Sequence, residues 1–135
     1  MNGETIDIHT ESDGVTPGSR WYIHARNLAS AILFILEKFK PGDRVNITGK
    51  EEINNLEMAQ KIADVIGKPL KYNLINFHST RPGHDIRYGL SGEKLYNMGW
   101  EPPVDFEKSL RKTVEWTLAH PHWYQETSEV VDTCI

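Results

Sequence analysis

Cysteine is nearly absent from this sequence: Cys134 is the single one in 135 residues, so no intrachain disulfide can form, and a reducing, cytoplasmic setting is the simpler expectation. Long apolar runs are absent too. The longest, Ala31 to Leu36, falls far short of the ~20 residues that cross a bilayer. The first ten residues carry Glu4 and Asp7 in place of an apolar stretch, so a soluble protein without membrane contact is expected. There is no basic excess: 15 Lys and Arg stand against 19 Asp and Glu, a net charge of −4. That balance argues against nonspecific nucleic-acid binding, which needs a cationic face to displace counterions. Nor is there a metal-ligand set. His24, His78, His120 and His122 lack the converging cysteines or carboxylates of a zinc site, and no metal is expected.

What remains is 39% apolar, enough for one compact domain and too short for a second. In Asn27 to Phe39, Leu28, Ala31, Ile32, Ile35, Leu36 and Phe39 recur at spacings of three and four, predicting a helix ended by Pro41-Gly42. Arg44 to Thr48 alternates around Val45 and Ile47 and reads as a strand broken by Gly49. Asn54 and Glu57 form a capping box for a second helix bearing Leu56, Ala59, Ile62, Ala63 and Ile66, stopped by Gly67 and Pro69. Tyr72 to Phe77 reads as a strand, and Ile86 to Leu90 as another short extended piece. Ser91 caps a short helix closed by Gly99, and Asp105 caps a last one with Phe106, Leu110, Val114 and Leu118 on one face. The expected fold is a small mixed α/β lobe of about four helices and four short strands, over residues 1–123, with a polar, frayed tail from 124 to 135.

Arg81-Pro82-Gly83-His84-Asp85 is the segment richest in chemistry. Proline and glycine fix a turn that presents a guanidinium and an imidazole together, and the planar fork of arginine suits a diphosphate. A plain surface turn with Arg81 paired to Asp85 is the alternative. Trp100 and Trp116 are expected to pack in the core, with Met58 and Met98 as filler, and Glu51-Glu52 reads as a solvated turn.

Arg81-Pro-Gly-His-Asp, then Arg87-Tyr88, Lys94, Gly99-Trp100-Glu101-Pro102 and Leu110 to Trp116, resembles in order the carboxyl end of the dTDP-glucose 4,6-dehydratases, within the extended short-chain dehydrogenases. Upstream, Ser19-Arg20-Trp21-Tyr22-Ile23-His24 with Ala31-Ile32 resembles the family's arginine-aromatic strand and helix. Val45-Asn46-Ile47-Thr48-Gly49 resembles its Asn-Ile-Gly-Gly turn. The likeness covers about residues 6–123. It implies a lobe that holds a nucleoside-diphosphate sugar, with Arg20 and Arg81 on the phosphates, His84 beside the nucleotide and Asn55 as a further polar contact. Asn55 could equally bond the backbone of its own helical turn. His9 stands where the family usually has a tyrosine over the nucleotide.

The same resemblance shows what the chain lacks. A complete enzyme of this kind holds NAD on a glycine-rich turn at a helix amino end, and no G-x-x-G-x-x-G occurs. Its base is a tyrosine with a lysine four residues on. None of Tyr22, Tyr72, Tyr88, Tyr96 and Tyr124 has one, although Tyr22 has Arg26 at that spacing. No cofactor is therefore expected on this chain, NAD being implied for the complete enzyme, and catalysis is not expected from it alone. A separately encoded Rossmann lobe would complete it, and Met1 just ahead of an Ile6 strand suits a separate reading frame or a truncation point. A severed lobe should expose an apolar docking face and self-associate. The alternatives are a free-standing binding or assembly module that retains the fold, and a remnant that folds without ligand.

Overall fold

The computed structural model describes residues 3–76 and 85–125. In chain order its elements are strand β1 (Ile6–Thr10), strand β2 (Ser19–Arg20), helix α1 (Ala25–Lys38), strand β3 (Ile53–Asn54), helix α2 (Asn55–Ile66), strand β4 (Tyr72–Asn76), helix α3 (Glu93–Asn97), helix α4 (Phe106–Ala119) and the single turn α5 (His122–Gln125). This is the mixed α/β layer expected. Its sheets are two pairs: β1 runs parallel to β4, with Ile6 opposite Tyr72 and Thr10 opposite Asn76, and β2 runs antiparallel to β3.

The helix punctuation follows the sequence closely. Asn54 accepts the Glu57 amide at 2.8 Å, and Gly67 closes α2 in the left-handed region at φ 74°, where a side chain would be strained. Glu57 turns along the helix toward Lys61, at 3.8 Å, so the cap holds through Asn54. Asp105 caps α4 through the Lys108 amide. Helix α1 begins two residues before Asn27, because the His24 ring accepts the Arg26 amide and serves as its cap. The cap of α3 is Gly92, with Ser91 one residue earlier accepting the Glu93 amide at 3.3 Å.

Ala31 of α1, Leu95 of α3 and Trp100 make the buried centre, with Phe34, Ile35, Phe39, Val45, Ile47 and Tyr96 packed around it. Burying side chains of this size contributes about 1.5–3 kcal/mol each. A second contact layer forms where α2 meets α4 and β1, with Ile8, Ala63 and Val114 buried. The two layers are tied by Asn27, buried at the start of α1, which donates to the Val104 carbonyl at 2.8 Å and accepts the Val104 amide at 3.1 Å.

Several expectations are corrected. Residues 44–48 form no strand: Val45 and Ile47 do turn to the core, but the Arg44 and Thr48 carbonyls are taken by the Lys94 and Tyr96 side chains, so no ladder forms. Of 86–90 only Arg87 pairs, in an isolated bridge to Ser19, and the arginine-aromatic strand shrinks to two residues. Met98 is 43% exposed, and Trp116 is 49% exposed, stacked on His120 at 4.3 Å on the surface. Among the described residues no helix is long and apolar enough to cross a membrane, and no group of three or more metal-ligating side chains gathers.

Candidate functional site

Gly18, Ser19 and Arg20 lie where three chain segments cross. The Gly18 amide donates to the His9 carbonyl at the end of β1, at 3.2 Å, and the Gly18 carbonyl accepts the Asn55 amide at 2.8 Å. The Ser19 amide donates to the Ile86 carbonyl, at 3.1 Å, in the segment that follows residue 84 in sequence. Antiparallel pairing sets Arg20 opposite Ile53, two residues before Asn55. Backbone hydrogen bonds thus bring His9, Arg20 and Asn55, far apart in sequence, to one crossing. Arg81 and His84 lie outside the described residues, but Asp85 and Ile86, which follow them at once, are fastened to it.

Close approach at the crossing requires glycine. A Cβ on Gly18 would stand 2.9 Å from the Ile86 carbonyl oxygen, close enough that backbone has to shift, and 3.3 Å from the Asn55 side-chain nitrogen, a tight contact that a small side-chain movement relieves.

Arg20 is not a free fork. Its guanidinium donates to the carbonyls of Ser19 at 2.6 Å, of Asp85 at 3.1 Å and of Ile86, and lies 4.3 Å over the Tyr88 ring. With three of its five N–H donors so used, two remain among the described residues for an anion. It therefore moors the returning segment as well as offering charge.

Three participants were not legible as such in the sequence. Glu52, read as solvated, accepts the Ser19 hydroxyl at 2.6 Å and a two-pronged bond from Arg87 at 2.6 and 2.7 Å. Arg87 above all, and then Ser19, holds the Glu52 carboxyl down at about 2. Arg87 is the second, and its own pKa is raised by Glu52. Tyr22 is the third: its hydroxyl donates to the Asn55 side-chain oxygen at 2.7 Å. Burial raises the pKa of Tyr22, outweighing the lowering by Arg20. These pairs span 33 to 35 residues, and no local spacing announces them. A cavity of about 250 Å³ between His24, Lys50, Ile53, Val104 and Phe106 adjoins Tyr22 but is lined by none of the five expected site residues.

No protein-family model matches the chain. It is 30% identical over 131 residues to the dTDP-glucose 4,6-dehydratase of Shigella flexneri, covering 93% of this chain and 35% of that protein. Among solved structures, the dTDP-glucose 4,6-dehydratase of Bacillus anthracis in complex with NAD superposes with a TM-score of 0.71 at 31% identity, over 90% of this chain and 37% of that one. The UDP-glucose 4-epimerase of Thermus thermophilus, also with NAD, gives 0.69 at 26% identity, over 84% and 35%. The chain spans about a third of the length of the curated relatives it matches. By sequence its homologues are dTDP-glucose 4,6-dehydratases, and by structure its neighbours are the dehydratases and epimerases of the extended short-chain dehydrogenases, of which it corresponds to that one third.

Proposed function

We propose that this chain is the substrate-binding lobe of an NAD-dependent nucleotide-sugar 4,6-dehydratase or epimerase, holding a nucleoside-diphosphate sugar and acting only with a Rossmann lobe supplied elsewhere. The observation that carries this reading is the crossing at Gly18 to Arg20, which gathers His9, Arg20 and Asn55 and ties down the segment following Arg81 and His84. In this reading the two remaining donors of Arg20 and the fork of Arg81 share the diphosphate, since cations from separate loops neutralise a charge that neither holds well alone. Charge-assisted bonds of this kind are worth about 1.5–3 kcal/mol each. Asn55 adds a neutral donor, His84 stands beside the nucleotide, and His9 lies at the base end.

NAD belongs, in this reading, to the missing lobe, because the sequence has no glycine-rich turn for its pyrophosphate. Support for a partner lobe comes from helix α1. Leu33 and Leu36 are 68% and 75% exposed on it, and Leu28 and Ile32 extend the stripe. The same stripe favours the second reading, a non-enzymatic assembly module that keeps the fold and uses this face for a protein partner.

Thermal-shift measurements and titration with dTDP-glucose, UDP-glucose and GDP-mannose separate the two. Saturable stabilisation, abolished by Arg81→Ala, is expected, with a half-site dissociation constant in the millimolar range, about 4 kcal/mol. Absence of a response to all three, at concentrations above that range, sinks the substrate-lobe reading and leaves the assembly module.

A further inference from the structure

The Tyr22 to Asn55 contact bears on what Asn55 can offer a ligand. An asparagine amide has one face that accepts and one that donates, and in isolation it turns freely between them. Here the turn is fixed from three sides. Asn55 is the first residue of α2, and its backbone amide is held by Gly18 at 2.8 Å. Its side-chain oxygen takes the Tyr22 hydroxyl at 2.7 Å. Its side-chain nitrogen lies toward Gly18, on the side where the Ile86 carbonyl oxygen also stands. Turning the amide over would bring two acceptor oxygens to that side and leave the Tyr22 hydroxyl facing a donor.

We infer that Tyr22 is a positioning residue for the substrate site: its hydroxyl locks the Asn55 amide so that the NH₂ group, and not the oxygen, faces the anion-binding crossing. This rests on the reading of that crossing as a nucleoside-diphosphate site. The NH₂ group, on the Gly18 side, is what the locked amide offers to phosphate or ribose oxygens. Tyr22 suits the task because its hydroxyl, protonated at neutral pH like any tyrosine's, is held on the Asn55 oxygen. It touches no ligand itself and acts through Asn55.

The test uses the full chain, with dTDP and UDP as probes and inorganic pyrophosphate as the base-free control. Tyr22→Phe keeps the ring and removes the lock, and should weaken dTDP and UDP binding several-fold, up to about tenfold. Asn55→Asp keeps an acceptor for Tyr22 while replacing the outward donor by an anionic oxygen, and should weaken binding more than about tenfold. The side-chain amide pair of Asn55 in a ¹⁵N-correlated NMR spectrum gives a readout that a merely structural role would not move. In the wild-type protein the pair should be sharp and should shift on adding dTDP. In Tyr22→Phe it should broaden or double.

If Tyr22→Phe binds as the wild type does and its Asn55 amide stays sharp, while Asn55→Asp and Arg81→Ala lose binding, the lock is overturned and the substrate site stands. If Asn55→Asp also binds normally, Asn55 is not a contact and the lock again fails. If the wild-type chain binds none of the three probes, the substrate-site reading falls and the inference with it.

Discussion

Gly18 allows the crossing to form because nothing larger fits between the Ile86 carbonyl and the Asn55 amide. Gly18→Ala should cost about 1–3 kcal/mol of stability through overpacking, read as a lowered midpoint in denaturant, and should weaken nucleotide binding by displacing both neighbours. Full stability in Gly18→Ala would mean that the segments are less tightly set than their distances indicate. Glu52 gives a pH-dependent counterpart. Its folded-state pKa, about 2, lies below the ordinary 4.5, so its contribution is present above 4.5 and is lost as pH falls toward 2. Glu52→Gln removes that titration. The stability difference between wild type and variant should be constant near neutrality and shrink through this acid window; a difference that persists to pH 2 would place it in packing instead. The sequence named Arg20 and Asn55 through their motif neighbours, but not Glu52 or Tyr22. Both act through partners more than thirty residues away, where only the folded chain reveals the geometry.

Elements that cap themselves were readable. Asn54, Gly67 and Asp105 act within three residues of the ends they close, so their chemistry is written locally. Elements that need a distant partner were not. Residues 44–48 alternate as a strand does, yet Lys94 and Tyr96 occupy carbonyls that a ladder would use. Strand β3 is only two residues long and exists because β2 lies beside it. Asn27 was read merely as the first residue of a helix, but it is the join between α1 and the segment leading into α4. Asn27→Ala would remove a buried side chain and leave the part-buried amide and carbonyl of Val104 without their partner, at a cost of up to about 1–3 kcal/mol each. We expect the variant to unfold at markedly lower temperature, and to show faster hydrogen exchange at the Val104 amide before any change at Ala63. Uniform loss across both would mean that the helices fold as one unit with no separate join.

For the molecule as a whole, the open question is what covers helix α1. Its heptad-like spacing promised one buried face, and the structure buries only part of it: Ala31 is fully enclosed, while Leu28, Ile32, Leu33 and Leu36 remain on the outside. Periodicity alone cannot separate a stripe facing the chain's own core from one facing another body, since both demand the same residues. An apolar stripe of this kind marks an interface, and in the substrate-lobe reading proposed above the Rossmann lobe is the body that covers it. For residues 1–135 by themselves, the same stripe on a second copy is a surface it can meet. Self-association in the range of tens to hundreds of micromolar is therefore expected, corresponding to about 5–6 kcal/mol. Sedimentation equilibrium over that range would measure it. Leu33→Lys with Leu36→Glu should abolish the association while leaving thermal stability within about 0.5 kcal/mol, as expected for exposed positions. A wild-type chain that stays monomeric throughout would show that the stripe is too small to hold even its own copy. A double variant that loses stability instead would place these leucines in the fold and remove the reason to look for a partner there.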